Sequence, residues 1–187
     1  MSKYSRLLSL VLRHKPEYLN LHLDYNGYAF IDDVIRGFKE KGYHLSREEL
    51  ERIVKENDKQ RFSFDKTRTK IRANQGHSID VNLSLDAITP PDVLYHGSYL
   101  DVEEKIKVEG IKRMTRNYVQ LSINIDEALI VGSRHGEPIV YWVDAKRMME
   151  DGYHFYLSKN GIYMTRYIPV GYFHLIEKKD HLCQTSH

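Results

Sequence analysis

LSREELERIVKENDKQRFSFDKTRTKIRAN, residues 45–74, contains a helix signal followed by a hairpin signal. Ser46 with Glu49 three residues later forms a capping box, which is typical of a helix start. Apolar residues follow at helical spacing: Leu50, Ile53 and Val54. Apolar residues then alternate with polar ones across a charged turn: Phe62, Phe64 and Ile71. The stretch therefore predicts a helix that leads into a β-hairpin.

The residues before this stretch predict two more helices and a short strand. Residues 2–15 place four apolar side chains on one helical face, with Ser2 as the cap and Pro16 as the stop: Leu7, Leu8, Val11 and Leu12. Residues 21–23 alternate like a strand, and residues 31–42 repeat apolar residues as a helix does. This order of elements predicts a winged helix over residues 1–89.

The predicted wing is strongly basic. Between Lys59 and Arg72 there are six basic residues and one acid, Asp65. Such a hairpin is consistent with binding to nucleic-acid phosphates, although a hairpin whose charges are merely solvated gives the same pattern. The charge pattern leaves both interpretations open.

Thr89-Pro90-Pro91 separates this lobe from a second one, because consecutive prolines end regular structure. Over residues 90–187 we predict strands and helices in mixed order. The strands are 92–98, 118–122 and 138–144, the helices 100–110 and 125–136, and a hairpin at 155–169 turns at Asn160-Gly161. Helices interrupt the strands without regular alternation, which predicts an α+β protein. The tail, residues 178–187, is unassigned.

Several polar clusters have no evident part in a core. Arg13-His14 ends the first helix, where a cation also suits the helix dipole. RANQGHS, residues 72–78, gathers Arg72, Gln75 and His77, which could converge on one anion or form an ordinary polar loop. His-Gly pairs recur at residues 96–97 and 135–136.

Common motifs for other chemistries are absent. The sequence has no Gly-rich nucleotide loop, and its ten histidines lack ligand spacing, so we predict no metal site. The single cysteine, Cys183, lies in the polar tail and is interpreted as an idle thiol. One cysteine, no membrane span and no signal peptide predict a cytoplasmic protein, which we expect to be a monomer without membrane contact.

Taken together in order and spacing, five stretches closely resemble the NAD-dependent RNA 2′-phosphotransferases. These are LRHKP, RFSFD with IRANQGHS, TPPDVLYHGS, VGSRHG and NGIYMT. The resemblance implies a winged-helix, RNA-binding lobe over residues 1–89 and an NAD-binding lobe of ADP-ribosyltransferase fold over residues 90–187. It also implies tRNA processing in organisms that splice tRNA by that route, with RNA bearing an internal 2′-phosphate as partner.

The resemblance assigns site residues by position. Arg13, His14, Arg72 and Arg134 match the family's catalytic group, and Gln75 with His77 would stand beside the RNA 2′-phosphate. The residues expected to bind NAD+ are His96, Gly97, Ser98, Gln120, Ser122 and Gly136. Gln120 is a departure, because family members usually carry histidine there, and glutamine cannot take up a proton.

The implied reaction consumes NAD+ as a co-substrate and needs no metal. The 2′-phosphate attacks the ribose carbon that bears nicotinamide and forms an RNA-2′-phospho-ADP-ribose intermediate. The 2″-hydroxyl then attacks the phosphorus and releases ADP-ribose 1″,2″-cyclic phosphate. Two alternatives are a one-step ADP-ribosyltransferase that caps phosphorylated nucleic-acid ends, and a winged-helix nucleic-acid-binding protein that has lost catalysis.

Overall fold

The computed structural model describes residues 2–176, which form two compact units. The first unit comprises residues 2–85 together with two short segments from later in the chain, Thr115–Asn117 and Ser158–Asn160. The second comprises residues 86–114, 118–157 and 161–176. Both units combine helices with strands, so the predicted α+β class is confirmed. Cys183 and the tail from residue 178 lie outside the described residues.

The first unit contains three α-helices and a short 3-10 helix. They are α1 (Lys3–Arg13), the 3-10 helix (Pro16–Leu19), α2 (Ile31–Glu40) and α3 (Arg47–Glu56). Both predicted caps are formed: the Ser2 hydroxyl accepts from the Ser5 N–H at 3.1 Å, and the Ser46 hydroxyl accepts from the Glu49 N–H at 3.1 Å. Each bond satisfies a backbone donor that the first helical turn leaves unpaired.

A three-stranded antiparallel sheet completes the first unit. Its strands are β1 (Ala29–Phe30), β2 (Phe62–Phe64) and β3 (Lys70–Ala73), in the order β1-β3-β2. The predicted hairpin is confirmed, with Phe64 opposite Ile71. The predicted strand at residues 21–23 is wrong. The Leu21 N–H donates to the Pro16 carbonyl at 3.0 Å, in the 3-10 helix, and residues 21–23 join no strand.

The core of the first unit joins the apolar faces of its helices to the inner face of this sheet. Its buried members include Leu8 and Leu12 of α1, Phe38 of α2, Leu50 of α3 and Ile71 of β3. These are the positions at which the sequence repeats apolar residues with helical or strand period, and their burial supplies the main stabilisation of the unit.

The second unit has three antiparallel sheets and three α-helices. Its elements are β4 (Ala87–Ile88), β5 (Val93–Tyr99), α4 (Glu103–Glu109), β6 (Ile111–Lys112), β7 (Val119–Leu121), α5 (Ile125–Gly132), β8 (Pro138–Asp144), α6 (Ala145–Glu150), β9 (Phe155–Leu157), β10 (Tyr163–Thr165), β11 (Tyr167–Ile168) and β12 (Phe173–Leu175), with a 3-10 helix at Leu100–Val102. The sheet orders are β4-β9-β10-β7, β12-β8-β5 and β11-β6.

The strands predicted in this unit are present, and the predicted hairpin at residues 155–169 pairs β9 with β10. The helix expected over residues 125–136 ends earlier, at Gly132, where the Ser133 N–H donates to the Leu129 carbonyl at 2.9 Å. The glycine at 136 therefore lies in the turn that leads into β8, beyond the end of the helix.

Two glycines let α5 pack directly on the backbone of β5. A Cβ at Gly97 would lie 1.9 Å from the Ala128 carbonyl oxygen, and a Cβ at Gly132 would lie 2.3 Å from the Ser98 carbonyl oxygen. Both distances are far below van der Waals contact and involve backbone that cannot move away cheaply. Glycine at 97 is thus required by packing, whatever else it contacts.

Within residues 2–176, no helix combines the length and apolar character that crossing a membrane requires.

Candidate functional site

The end of α1 is tied to the segment after β3. Arg13 is the last residue of α1, and its carbonyl accepts from the Ser78 N–H at 3.0 Å. The His14 ring Nδ1 lies 2.8 Å from the Ser78 hydroxyl oxygen. These two bonds join Arg13-His14 to residues 72–78, which are far away in sequence, and they bring two of the predicted clusters together in the first unit.

Arg72 lies on β3, and its side chain is held by a backbone carbonyl and an aromatic ring. Its Nη1 donates to the Asn26 carbonyl at 3.3 Å, and its guanidinium carbon lies 4.7 Å from the centre of the Tyr28 ring. Its Nε is buried and has no hydrogen-bond partner in the structure. Within residues 2–176 no carboxylate oxygen lies within 4.0 Å of this guanidinium. A charged donor kept buried and unmatched is suited to an incoming anion.

The segment after Arg72 is fixed by a buried asparagine. The Asn74 side chain accepts from the Ser63 hydroxyl at 2.7 Å and donates to the Gln60 carbonyl at 2.6 Å. Gly76 follows with φ +86°, a conformation that suits glycine. The chain is thereby turned so that Gln75 is half-buried and His77 points inward.

His77 is a buried, neutral residue. It is 2% exposed, and its pKa is lowered to about 3, first by burial and then by the positive charges of Arg13, Arg72 and His14. Its Nε2 is buried and has no hydrogen-bond partner in the described part of the chain. The ring therefore carries no charge at neutral pH, and almost none of its surface is open to a ligand.

The sequence prediction missed Arg116. The segment Thr115–Asn117 belongs to the first unit, where the Asn117 N–H donates to the His77 carbonyl at 3.0 Å and its side chain donates to the Ile79 carbonyl at 2.8 Å. The pKa of His14 is lowered by burial and then by the charges of Arg13 and Arg116. Arg116 is therefore close enough to act on His14, although a basic residue before a strand gave no signal of this in the sequence.

The first unit thus places three guanidinium groups near two histidines: Arg13 and Arg116 lower the pKa of His14, and Arg13 and Arg72 lower the pKa of His77. Guanidinium groups stay charged, are planar, and bind two oxygens of a phosphate or carboxylate at once. Collecting like charges costs free energy that a multiply charged anion would offset. The arrangement can therefore act as a receptor for a phosphate group.

His96 is the best-defined polar residue of the second unit. It lies on β5, and its Nδ1 is 3.1 Å from the Gln120 carbonyl oxygen. A carbonyl oxygen can only accept, so Nδ1 carries the proton of this bond. Burial lowers the pKa of His96, which keeps the ring neutral and leaves Nε2 as an acceptor. Gln120 thus contributes its backbone to the orientation of His96.

The other predicted residues of the second unit are more scattered. Ser98 is buried on β5, and the backbone of Ser122 exchanges two hydrogen bonds with Tyr95, of 2.9 and 2.7 Å. Arg134 and Gly136 are exposed and follow the end of α5. Arg134 belongs to the second unit, whereas Arg13, His14 and Arg72 belong to the first.

Among the residues that the structure describes, no group of three or more His, Cys, Asp or Glu side chains is arranged to hold a metal ion.

Comparison with known proteins gives one consistent family. Residues 1–167 match the family described as RNA 2′-phosphotransferase, Tpt1 / KptA family. A "Probable RNA 2′-phosphotransferase" from Fusobacterium nucleatum is 48% identical over 168 residues, which cover 89% of this chain and 94% of that protein. Proteins with the same name from Trichormus variabilis and Hahella chejuensis are each 44% identical, over 93% and 92% of this chain and 96% and 93% of their own lengths.

Proposed function

The chain belongs to the RNA 2′-phosphotransferase family, and on that premise we propose that it removes an internal 2′-phosphate from RNA by transferring it to NAD+. The products would be nicotinamide, RNA with a 2′-hydroxyl and ADP-ribose 1″,2″-cyclic phosphate. The observation that carries the proposal is the arginine cluster of the first unit: hydrogen bonds of Ser78 join the end of α1 to the segment after Arg72, Arg13 and Arg116 lower the pKa of His14, and Arg13 and Arg72 lower that of His77.

The arginines would bind and neutralise the RNA 2′-phosphate. A phosphate is already ionised at neutral pH, so its attack on a ribose carbon needs positioning and charge neutralisation more than a base. When the phosphorus is attacked in its turn, charge builds on the phosphoryl oxygens, and the same guanidinium groups can stabilise it. Arg72 is the best-supported member, because its buried Nε lacks a hydrogen-bond partner among residues 2–176.

His14 would act beside the arginines as an oriented, neutral hydrogen-bonding group. Ser78 holds its Nδ1, while burial and the charges of Arg13 and Arg116 keep its pKa below its usual value. A bound phosphate would offset those charges, so the pKa of His14 should rise when RNA binds. His77 would then be a positioning residue for Arg13 and Arg72, since it is buried between their charges.

The second unit would bind NAD+. The residues fit this co-substrate at His96, whose fixed Nε2 acceptor matches a ribose hydroxyl donor. Ser98, Ser122, Gln120 and Gly136 stay predicted contacts, as does Gly97, whose missing side chain is already required by packing against Ala128. Arg134 stays a predicted catalytic residue. We also retain the winged-helix and ADP-ribosyltransferase assignments of the lobes as part of the proposal.

The test is a reaction with a short RNA that carries one internal 2′-phosphate, with and without NAD+. The proposal expects NAD+-dependent conversion to a 2′-hydroxyl, with nicotinamide and the cyclic phosphate released in equal amounts. A stable ADP-ribosylated RNA without cyclic phosphate would instead support the one-step transferase. If the protein binds the RNA but no NAD+ is consumed, the result would support a nucleic-acid-binding protein that does not catalyse this reaction. Either of the last two results overturns the proposed reaction.

A further inference from the structure

The turn Asp24–Tyr28 is a rigid element beside the phosphate-binding cluster of the first unit. One Asp24 carboxylate oxygen accepts from the N–H groups of Asn26 and Tyr28, at 3.1 and 2.9 Å, and the other pairs with the Lys70 ammonium at 3.1 Å. Gly27 takes φ +81°, which lets the chain reverse. The turn is therefore fixed by its own bonds and by β3.

This turn exposes an aromatic ring. Tyr25 is 75% exposed, more than any other Phe, Tyr or Trp side chain within residues 2–176. It is nevertheless held in place, because Asn82 donates from its backbone N–H to the Tyr25 carbonyl and from its side chain to the Tyr25 hydroxyl, both at 2.9 Å. Asn26 in turn holds Asn82, donating to its carbonyl at 2.7 Å.

The same turn also positions Arg72. The Asn26 carbonyl accepts from Arg72, and the Tyr28 ring lies under the Arg72 guanidinium. Tyr25 directly precedes Asn26, and adjacent Cα atoms lie about 3.8 Å apart. One short turn therefore carries an exposed, oriented ring and two supports of a phosphate-binding arginine.

We propose that Tyr25 stacks on a nucleobase of the RNA next to the nucleotide that carries the 2′-phosphate. The proposal rests on the proposed function, since Arg72 must hold that phosphate. Unstacked bases of single-stranded RNA commonly stack on aromatic side chains, with little dependence on which base is present. Tyr25 would thus favour a substrate whose 2′-phosphate is internal and flanked by a base over an isolated phosphate.

Tyr18 is a matched control within the same unit. It is 41% exposed, but the Lys41 ammonium lies 4.7 Å from its ring centre, and it belongs to the 3-10 helix. Within residues 2–176, the Tyr25 ring makes no such contact with a cation or with another aromatic ring. The two tyrosines therefore separate stacking from the general effect of removing an exposed ring.

The experiment compares Tyr25→Ala, Tyr25→Phe and Tyr18→Ala with the wild type. The probes are fluorescent single-stranded RNAs with one internal 2′-phosphate, either intact or with an abasic site on the 5′ or the 3′ side of the phosphorylated nucleotide. Dissociation constants are measured by anisotropy without NAD+. Tyr25→Ala should weaken binding of the intact RNA about tenfold, while Tyr25→Phe and Tyr18→Ala should stay within about twofold of the wild type.

The abasic RNAs give the decisive comparison. On one of them the wild type should bind about as weakly as Tyr25→Ala, so that the substitution has no further effect. With NAD+ present, the loss in Tyr25→Ala should fall on KM and leave kcat nearly unchanged, because stacking stabilises ground and transition states alike. An equal loss on intact RNA and on both abasic RNAs would overturn the stacking proposal, and so would no loss at all.

Failure of the premise gives a different result. If the wild type binds 2′-phosphorylated and 2′-hydroxyl RNA equally well, the phosphate assignment of Arg72 is wrong, and the Tyr25 proposal is overturned with it. If the wild type prefers the phosphorylated RNA and Tyr25→Ala binds it as tightly as the wild type does, the proposed function stands and the stacking inference alone is wrong.

Discussion

Arg68 and Arg72 lie four residues apart at the β2-β3 hairpin, yet their surroundings differ. Each guanidinium lies over an aromatic ring, at 4.9 Å from the centre of Phe64 for Arg68 and 4.7 Å from that of Tyr28 for Arg72. Arg68 also pairs with the Glu51 carboxylate at 3.3 Å, whereas Arg72 is matched by a carbonyl and keeps a buried N–H without a partner.

The comparison shows that local basic charge is a poor guide to phosphate binding. Three of the six basic residues that make the hairpin look like a nucleic-acid footprint are paired with carboxylates of their own unit: Arg61 with Asp58, Arg68 with Glu51 and Lys70 with Asp24. A phosphate would have to compete with those carboxylates. Arg72, by contrast, joins Arg13 in lowering the pKa of the buried His77, while Arg13 and Arg116 lower the pKa of His14.

The largest effect is expected from removing the unmatched arginine. Arg72→Ala should lower turnover of 2′-phosphorylated RNA by about 100- to 1,000-fold, since it deletes a donor to developing phosphoryl charge. Arg68→Ala removes an equivalent side chain that is already neutralised, and it should change turnover less than about threefold. Single-turnover assays on both variants measure the difference. Similar losses in the two variants would contradict the distinction between them.

Arg116 tests whether the cluster extends beyond the residues that the sequence indicated. Arg116→Gln should lower turnover about ten- to a hundredfold, the usual range for losing a hydrogen bond to a charged group. It should also raise the pKa of free His14, because one of the charges that lowers it is gone. Arg134→Gln is the parallel variant in the second unit. A loss below about threefold in Arg116→Gln would contradict its membership of the cluster, and a loss of turnover in Arg134→Gln is what the predicted catalytic role of Arg134 requires.

His77 provides a stability test of the same cluster. The folded state keeps His77 neutral down to about pH 3, whereas the unfolded chain takes up its proton near pH 6.5. The stabilisation is therefore fully present above about pH 6.5, and it should fall by roughly 1.4 kcal/mol for each pH unit below that. The free energy of unfolding, measured with urea between pH 7 and 4, should depend less steeply on pH in His77→Asn than in the wild type.

The control for this slope is His22→Asn, since His22 is exposed in the same unit. It should retain the wild-type dependence on pH. His14 and His96, whose pKa values are also lowered, remain in every protein compared, so the difference reports His77. Equal slopes in His77→Asn and the wild type would mean that His77 is not buried among the arginines as described.

The smallest effect concerns the hairpin itself. Glu51 pairs with both Arg47 and Arg68, so Glu51→Gln releases two guanidinium groups. Binding of 2′-hydroxyl RNA at low salt should become about two- to threefold tighter, with a steeper dependence on salt concentration. Titration at several salt concentrations measures this. Unchanged binding would show that the hairpin lies away from the RNA path even when its charges are released.

Local patterns in the sequence predicted five of the six α-helices described, α1 to α5, and both hairpins, because caps and apolar periodicity act over a few residues; the short helix α6 was missed. The strand predicted at residues 21–23 is absent, because the Leu21 N–H donates to a carbonyl of the neighbouring 3-10 helix. Arg116 could not be found locally, since its place depends on Asn117 bonding to residues 77 and 79. The predicted role of Gly97 likewise overlooked the approach of α5.

The most direct test of the account is the affinity of the wild type for one short RNA with an internal 2′-phosphate and for the same RNA with a 2′-hydroxyl, measured without NAD+ and repeated with Arg72→Ala. The account predicts that the wild type binds the phosphorylated RNA at least tenfold more tightly, and that Arg72→Ala removes most of this preference. Equal affinities in the wild type, or a preference that survives in Arg72→Ala, would contradict the claim that this cluster binds the 2′-phosphate.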